Sequence, residues 1–148
     1  MTLQDWLKSR WLIAHTSSPQ EIRGLLAVAS REMADAEVKG LSVDARFGHA
    51  YNAALQSALA ALAAAGYRVA RGESHHHRGI YSLAYTVGCD ASLIDRMDKL
   101  RKKRNISDYE RAGSVSEQEA DEMVRLSRDL RAKVEAWLRK EHPALLKG

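Results

Sequence analysis

The chain has 148 residues, 45% of them apolar, which suits one domain around a single hydrophobic core and excludes a disordered chain. Lys and Arg number 23 against 19 acids, a formal charge of +4 that permits an anionic partner without demanding one. The lone cysteine, Cys89, excludes an internal disulfide and a cysteine-based zinc site, so a reducing compartment is expected.

A short leading helix is read over residues 3–8, within "MTLQDWLKSRW". Asp5 and Lys8 interrupt its apolar residues, so the segment lacks the order of a secretory signal. "SSPQE" then opens a longer helix: Ser18 can cap, Pro19 suits the first helical position, and Glu21 completes a capping box. Ile22, Leu25, Leu26, Ala29, Met33 and Ala36 follow at helical spacing, with Gly40 as the terminator. Ser42 starts the next helix, whose apolar stripe runs Val43, Phe47, Ala50, Tyr51, Ala54, Leu55, Ala58, Leu62 and Ala65, with Gly66 at its end. Its alanines let a neighbouring helix approach closely.

A third segment is predicted as one helix from Ser74 to Val87, with Ile80, Leu83, Ala84 and Val87 inside and Gly88 as its stop. Asp90 caps a fourth through Leu93, Ile94, Met97 and Leu100. After the loop "ERAGSVS", Ser116 and Glu119 form a capping box. The last helix buries Ala120, Met123, Val124, Leu126, Leu130, Val134, Trp137 and Leu138 and is stopped by Pro143. No segment alternates like a strand, and no Gly/Ser-rich linker or internal repeat divides the chain. The expectation is an all-α, single-domain helical bundle of about five main helices spanning 1–148, its core bundle at about 19–141. The most apolar region, Ala50 to Ala65, is broken by Asn52, Gln56 and Ser57, which argues against a membrane span and for a soluble cytoplasmic protein.

The stretch "KLRKKRNISDYE", Lys99 to Glu110, is the densest chemistry in the chain. On a continuing helix, Arg101, Arg104 and Asp108 share one face, and Asn105 and Tyr109 share the next. One account is structural: cations favour a helix C-terminus, Arg104 pairs with Asp108, and Lys102 and Lys103 stand in water. The other is a phosphate site. Arg104 supplies a planar fork, Asn105 and Tyr109 orient the ligand, and Lys102 and Lys103 add sequence-independent attraction to a nucleic-acid backbone.

"SHHHR", Ser74 to Arg78, is the second feature. Adjacent histidines on a helix point about 100° apart, so the run lacks the i, i+4 pair that chelation favours, and no metal ligand is assigned. It reads as a polar first turn capped by Ser74, or as a source of an acid or base, with His75, His76 or His77 facing Arg104. His49, near Arg46 and Asn52, reads as a half-buried, hydrogen-bonded side chain. Trp6, Trp11 and Trp137 read as packing or dimer-contact residues, and Cys89 as structural. The chain has no glycine-rich phosphate loop, no H-E-x-x-H and no nucleophile elbow, and no cofactor is expected.

"RNISDY" after a basic helix and before a capped final helix resembles the HEPN domain family, as does "LSVDARFGHAYNAALQSALAALAAAGYR". The similarity runs from about Ile22 to Trp137. It implies a small helical bundle that forms homodimers. Many members are metal-independent endoribonucleases of toxin–antitoxin or defence systems, with an Arg, often a polar residue next, and a His four to six positions on. Arg104 matches that Arg and Asn105 the polar position, while Tyr109 stands where the His would be. In the active nucleases, the resemblance implies, Arg and His from two protomers meet across a cleft, the His activating a ribose 2′-OH and the Arg stabilising developing charge.

A phenol of pKa ~10 is a poor base at neutral pH, yet Tyr109 can still bond a phosphate or stack on a base. The sequence therefore points first to a homodimeric module that binds RNA or a nucleotide through Arg101, Lys102, Arg104, Asn105 and Tyr109, with an antitoxin or nucleotidyltransferase as a further partner and no membrane role. Two alternatives stand beside it. One is an active metal-independent endoribonuclease using Arg104 with Tyr109 or His77. The other is a protein-interaction dimer without a ligand.

Overall fold

In the computed structural model the chain is described over residues 2–71, 75–109 and 115–147, the side chains of 105–109 excepted. The described residues form six helices: α1 (Leu3–Lys8), α2 (Pro19–Ala36), α3 (Val43–Ala64), α4 (His75–Tyr81), α5 (Ala91–Tyr109) and α6 (Glu117–Glu141). Single 3₁₀ turns follow α4 at Ser82–Ala84 and α6 at Pro143–Leu146. The architecture is an all-α helical bundle, as the sequence predicts.

The long α3 is the centre of the bundle. Its buried residues include Phe47, Ala50, Tyr51, Ala54, Ser57, Ala58, Ala61 and Ala64, which lie around most of its circumference rather than along one stripe. A helix that is apolar on all sides is enclosed by its neighbours. Here α2 and α6 pack along it, and α4 and α5 cover its remaining side. From α6 come Met123, Leu130, Val134 and Leu138, and from α5 Ile94, Met97 and Leu100, each at most 2% exposed. The small side chains of α3 let α4 lie close: a Cβ on Gly79 would stand 3.2 Å from Leu59 Cδ2. That closeness brings the histidines of α4 against the bundle.

Several predicted boundaries hold for the predicted reason. The hydroxyls of Ser18, Ser42 and Ser116 accept from the backbone N–H three residues on, and Asp90 Oδ1 accepts from Leu93 N–H. Gly40, Gly66 and Gly88 all adopt positive φ. Three expectations are corrected. The carboxylate of Glu21 does not close a capping box; both its oxygens lie on His15 Nε2, at 2.7 and 2.8 Å. Helix α2 ends at Ala36, short of Gly40, because the N–H of Glu37 turns inward to Ala34 and Asp35. The segment expected as one helix to Val87 breaks after Tyr81. There Ser82 Oγ donates to the Gly79 carbonyl at 2.6 Å and Thr86 Oγ1 to the Ser82 carbonyl at 3.3 Å. Hydroxyls that take main-chain carbonyls in this way compete with helix continuation, and they leave Ala84 exposed and Val87 half-buried. The predicted cap Ser74 and loop residues 110–114 lie outside the described residues.

Two strands were not expected. β1 (Leu12–Ala14) pairs antiparallel with β2 (Tyr67–Val69), Leu12 opposite Val69 and Ala14 opposite Tyr67. Three residues each are too few to show an alternating pattern. The ribbon carries a satellite cluster of Trp6, Leu12, Leu62 and Val69 beside the main core. Arg10, in the left-handed region at φ 63°, turns the chain from α1 into β1. Among the described residues no helix is long and apolar enough to cross a membrane.

Candidate functional site

The basic stretch is helical. α5 runs unbroken through it to Tyr109, so the face relations expected for Arg101 and Arg104 apply. Arg104 points back onto α3. Its guanidinium carbon lies 5.3 Å from the centre of the Tyr51 ring, and its Nη2 donates to Asn52 Oδ1 at 3.4 Å. The ring face therefore carries the cation while the amide fixes the plane of the fork. Asn105, Asp108 and Tyr109, assigned ligand or pairing roles from sequence, have side chains outside the described residues.

α4 closes the same region. Its three histidines diverge, as their 100° spacing requires. His75 lines a cleft with Leu25, Leu59 and Tyr67. His76 meets Tyr51, its Nδ1 3.3 Å from the phenol oxygen. His77 Nδ1 lies 3.1 Å from Asp98 Oδ1. The histidine closest to Arg104 through shared contacts is thus His76. His77, singled out from sequence as a catalytic candidate, belongs to a carboxylate on α5 instead.

Asp98 organises that second group. It is buried, 6% exposed, and accepts from Arg101 Nε at 2.7 Å and from His77, with Lys102 Nζ 3.7 Å from its other oxygen. Burial acts to raise its pKa, but the hydrogen bonds and charges of Arg101 and His77 outweigh it and hold the carboxyl below its ordinary value. Ionised Asp98 can only accept, so His77 Nδ1 carries the proton and Nε2 is left for another partner. Neither Lys102 nor Lys103 stands alone in water: Lys103 reaches Glu119 on α6 at 3.5 Å. Arg101, expected as a nucleic-acid contact, spends one edge of its fork on Asp98.

The remaining titration shifts tie the two groups into one electrostatic unit. Burial pushes the Tyr51 phenol well up, against the opposing charges of Arg104 and Arg101. Burial, then Arg104, His75 and Arg101, push His76 down, so the ring is neutral at pH 7. The phenol and Nδ1 of a neutral imidazole can pair either way: Tyr51 donates to Nδ1 in one tautomer, and Nδ1–H donates to the phenol oxygen in the other, which leaves Nε2 as the acceptor.

Sequence reasoning missed Tyr51, Asn52, His76's specific role and Asp98. Tyr51 is read as core, correctly, since it is 1% exposed, but its ring also seats Arg104. Asp98 was detectable: it stands three and four residues before Arg101 and Lys102, the spacing of helical ion pairs.

Elsewhere, His49 Nδ1 lies 2.7 Å from Glu32 Oε2, the half-buried hydrogen-bonded histidine expected. With Asp35 these residues place three ligand-type atoms within 4.8 Å of one another. Such a trio could hold a divalent cation; the His49–Glu32 bond already accounts for its geometry. A larger cleft of about 490 Å³ lies between α2, α3 and α6, and two of its three arginines, Arg46 and Arg128, are paired with Asp121 and Glu37, while Arg125 also lines it. Cys89 is buried, and burial raises its thiol pKa, which suits a structural residue better than a nucleophile.

No family model matches the chain, and no curated protein or solved structure is significantly similar to it.

Proposed function

We propose that the protein is a HEPN-like homodimeric helical module that binds RNA or a nucleotide through the face built on Arg104. The observation that carries this is the seating of Arg104 on Tyr51 and Asn52, with His76 and Arg101 beside it. A guanidinium held by a ring and an amide is pre-oriented, so less freedom is lost when it meets a phosphate. Lys102 and Lys103, though paired, add positive potential along the same helix. Tyr109, whose side chain lies outside the described residues, enters this reading only through the family resemblance, as a ring that can stack on a base. A toxin–antitoxin or defence setting, with an antitoxin or nucleotidyltransferase as partner, goes with the family resemblance.

One observation favours a second reading, an active metal-independent endoribonuclease. His76 is neutral at pH 7 and lies in the field of Arg104, which is what a general base beside a phosphate-binding cation requires. In this reading Nε2 of His76 in its Nδ1–H tautomer, rather than His77 or Tyr109, takes the 2′-OH proton, the 2′-oxygen bonds phosphorus as the P–O5′ bond breaks, the imidazolium returns the proton to the leaving 5′-oxygen, and Arg104 stabilises the charge on the phosphorane.

The test is fluorescence anisotropy with labelled single-stranded RNA at low salt in EDTA, followed by analysis of the RNA. Binding lost in Arg104→Ala, with the RNA intact, supports the binding module. Products ending in 2′,3′-cyclic phosphate, absent with both Arg104→Ala and His76→Ala, establish the nuclease. A wild-type chain that binds neither RNA nor nucleotides at low salt leaves only a protein-interaction dimer.

A further inference from the structure

Beside the Arg104 face, and sharing Asp98 with it through His77, lies a cavity of about 210 Å³ lined by Trp6, Trp11, His77, Arg78 and Tyr81. Every lining group offers a flat surface. The Arg78 guanidinium lies over the Trp11 ring, 4.4 Å from its centre, and His77 lies 4.4 Å from Tyr81 at 34°. Trp6 meets Trp11 edge-on, with centroids 5.9 Å apart at 68°.

We propose that this cavity is a subsite for one nucleobase of the RNA or nucleotide. The inference rests on the functional reading above and names where the base goes. Size is the first argument. Pockets for drug-sized ligands run to about 300–1,000 Å³, so this one takes a single ring system and not a peptide segment or helix. Chemistry is the second. Aromatic faces and an arginine plane are the groups on which unpaired bases stack. His77, its Nδ1 committed to Asp98, has Nε2 left to bond a base edge, and Tyr81 is oriented by donating to Asp95 at 3.1 Å. Charge is the third. Arg78, Arg101 and Lys102 outnumber Asp95 and Asp98, so the surroundings suit a base that carries a phosphate rather than a neutral aromatic.

The tryptophan wall of the pocket lies outside the main core, while Tyr81 packs against both clusters. Most of α3 lies in the main cluster, whereas Trp6 packs in the satellite cluster with Leu12 and Val69, and Trp11 packs against it partly exposed. Its residues can be changed without touching Tyr51 or Arg104.

The experiment uses the full chain carrying Trp137→Phe, so that only Trp6 and Trp11 fluoresce. It is titrated with a short oligoadenylate, with an abasic oligomer of equal phosphate count, and with adenosine monophosphate. The expected result is tryptophan quenching by the base-containing ligands and roughly 5- to 100-fold tighter binding of oligoadenylate than of the abasic oligomer. Trp11→Leu abolishes that difference, and so does Arg78→Ala, a half-buried position that tests the pocket if the tryptophan variant fails to fold. Equal affinity for the two oligomers, or variants that bind like the parent, overturns the subsite. The two readings fail separately. Loss in Arg104→Ala without loss in the pocket variants removes the subsite and keeps the binding module. Loss only in the pocket variants keeps the subsite and removes Arg104 as the anchor. No quenching and no binding with any ligand at low salt removes both.

Discussion

Arg104 of α5 lies with its guanidinium 5.3 Å from the centre of the Tyr51 ring on α3. The relationship joins the most polar helix of the bundle to its most buried one. It converts a side chain that would sweep through solvent into one with a fixed plane. The proposed site depends on that conversion.

Arg104→Lys is therefore not a conservative change. A lysine keeps the charge but loses both the planar stack and the bond to Asn52. RNA binding in Arg104→Lys falls at least tenfold, close to the loss in Arg104→Ala. The slope of log affinity against log salt drops by about 1 only in the alanine variant. Anisotropy titrations across a salt series separate the two. Recovery of wild-type affinity by lysine would show that charge alone matters and that the Tyr51 seat is incidental.

Asp98→Asn removes the shared acceptor of His77 and Arg101. Hydrogen bonds to a charged, buried acceptor contribute about 1.5–3 kcal/mol each, so the substitution destabilises by about 1–3 kcal/mol after the amide recovers part of the bonding. The folded pKa of Asp98 is depressed, so its contribution is present above the unfolded carboxylate value and is lost as pH falls through the folded one. Urea melts at pH 7 show the deficit, and the gap between wild type and Asp98→Asn narrows below about pH 4. A gap that stays constant to pH 2 would mean that Asp98 acts through packing.

His76 gives a second, higher window. Its folded pKa lies below the unfolded value of about 6.5, so the unfolded chain takes up this proton first as pH falls. Stability from this residue is complete above that value and declines through the window beneath it. Thermal melts between pH 8 and 5 decline more steeply for wild type than for His76→Gln. The titration of His76 followed by NMR moves upward in Arg104→Ala, because a repelling cation has been removed.

Two neighbouring positions on α6 test the core. Ser127 is fully buried, and its hydroxyl finds no hydrogen-bond partner among the described residues. Ser127→Ala removes an unsatisfied polar group and leaves stability unchanged or raises it by about 1 kcal/mol. Leu130→Ala, one turn away and 1% exposed, costs about 2–5 kcal/mol through lost burial and the cavity left behind. Chemical denaturation of both variants reads the contrast directly.

What the sequence carried and what it did not divide along a physical line. Caps are local: Ser18, Ser42, Asp90 and Ser116 each bond within three residues, so their helices are legible from spacing alone. The alanine run of α3 announced close packing, and close packing is found. The β1–β2 ribbon was not legible, since pairing Leu12 with Val69 spans most of the first half of the chain and leaves no periodic trace in three residues. Glu21 likewise had two uses open to it, and tertiary placement of His15 chose the second. At the site, Arg104 stood out by its neighbours in sequence, but Tyr51 and Asn52 come from another helix and look like ordinary members of it. The divergence of the three histidines followed from helix geometry; which one would meet which partner depended on how closely α4 could lie on α3, and Gly79 settles that.

The ribbon has a consequence for how the molecule breathes. His15 N–H bonds Gly66 O, and Ala70 N–H bonds Trp11 O, each at 2.9 Å, so a short ladder of amides and the small satellite cluster of Trp6, Leu12, Leu62 and Val69 hold the first fifteen residues to the bundle. So short a seam opens at far lower free energy than the α2–α3–α6 core. The N-terminal segment is thus a small cooperative unit of its own, and it carries two of the five walls of the aromatic cavity. Amides of residues 12–15 and 67–70 exchange with solvent long before those of α3, and the base pocket exists only during the time that this seam is shut.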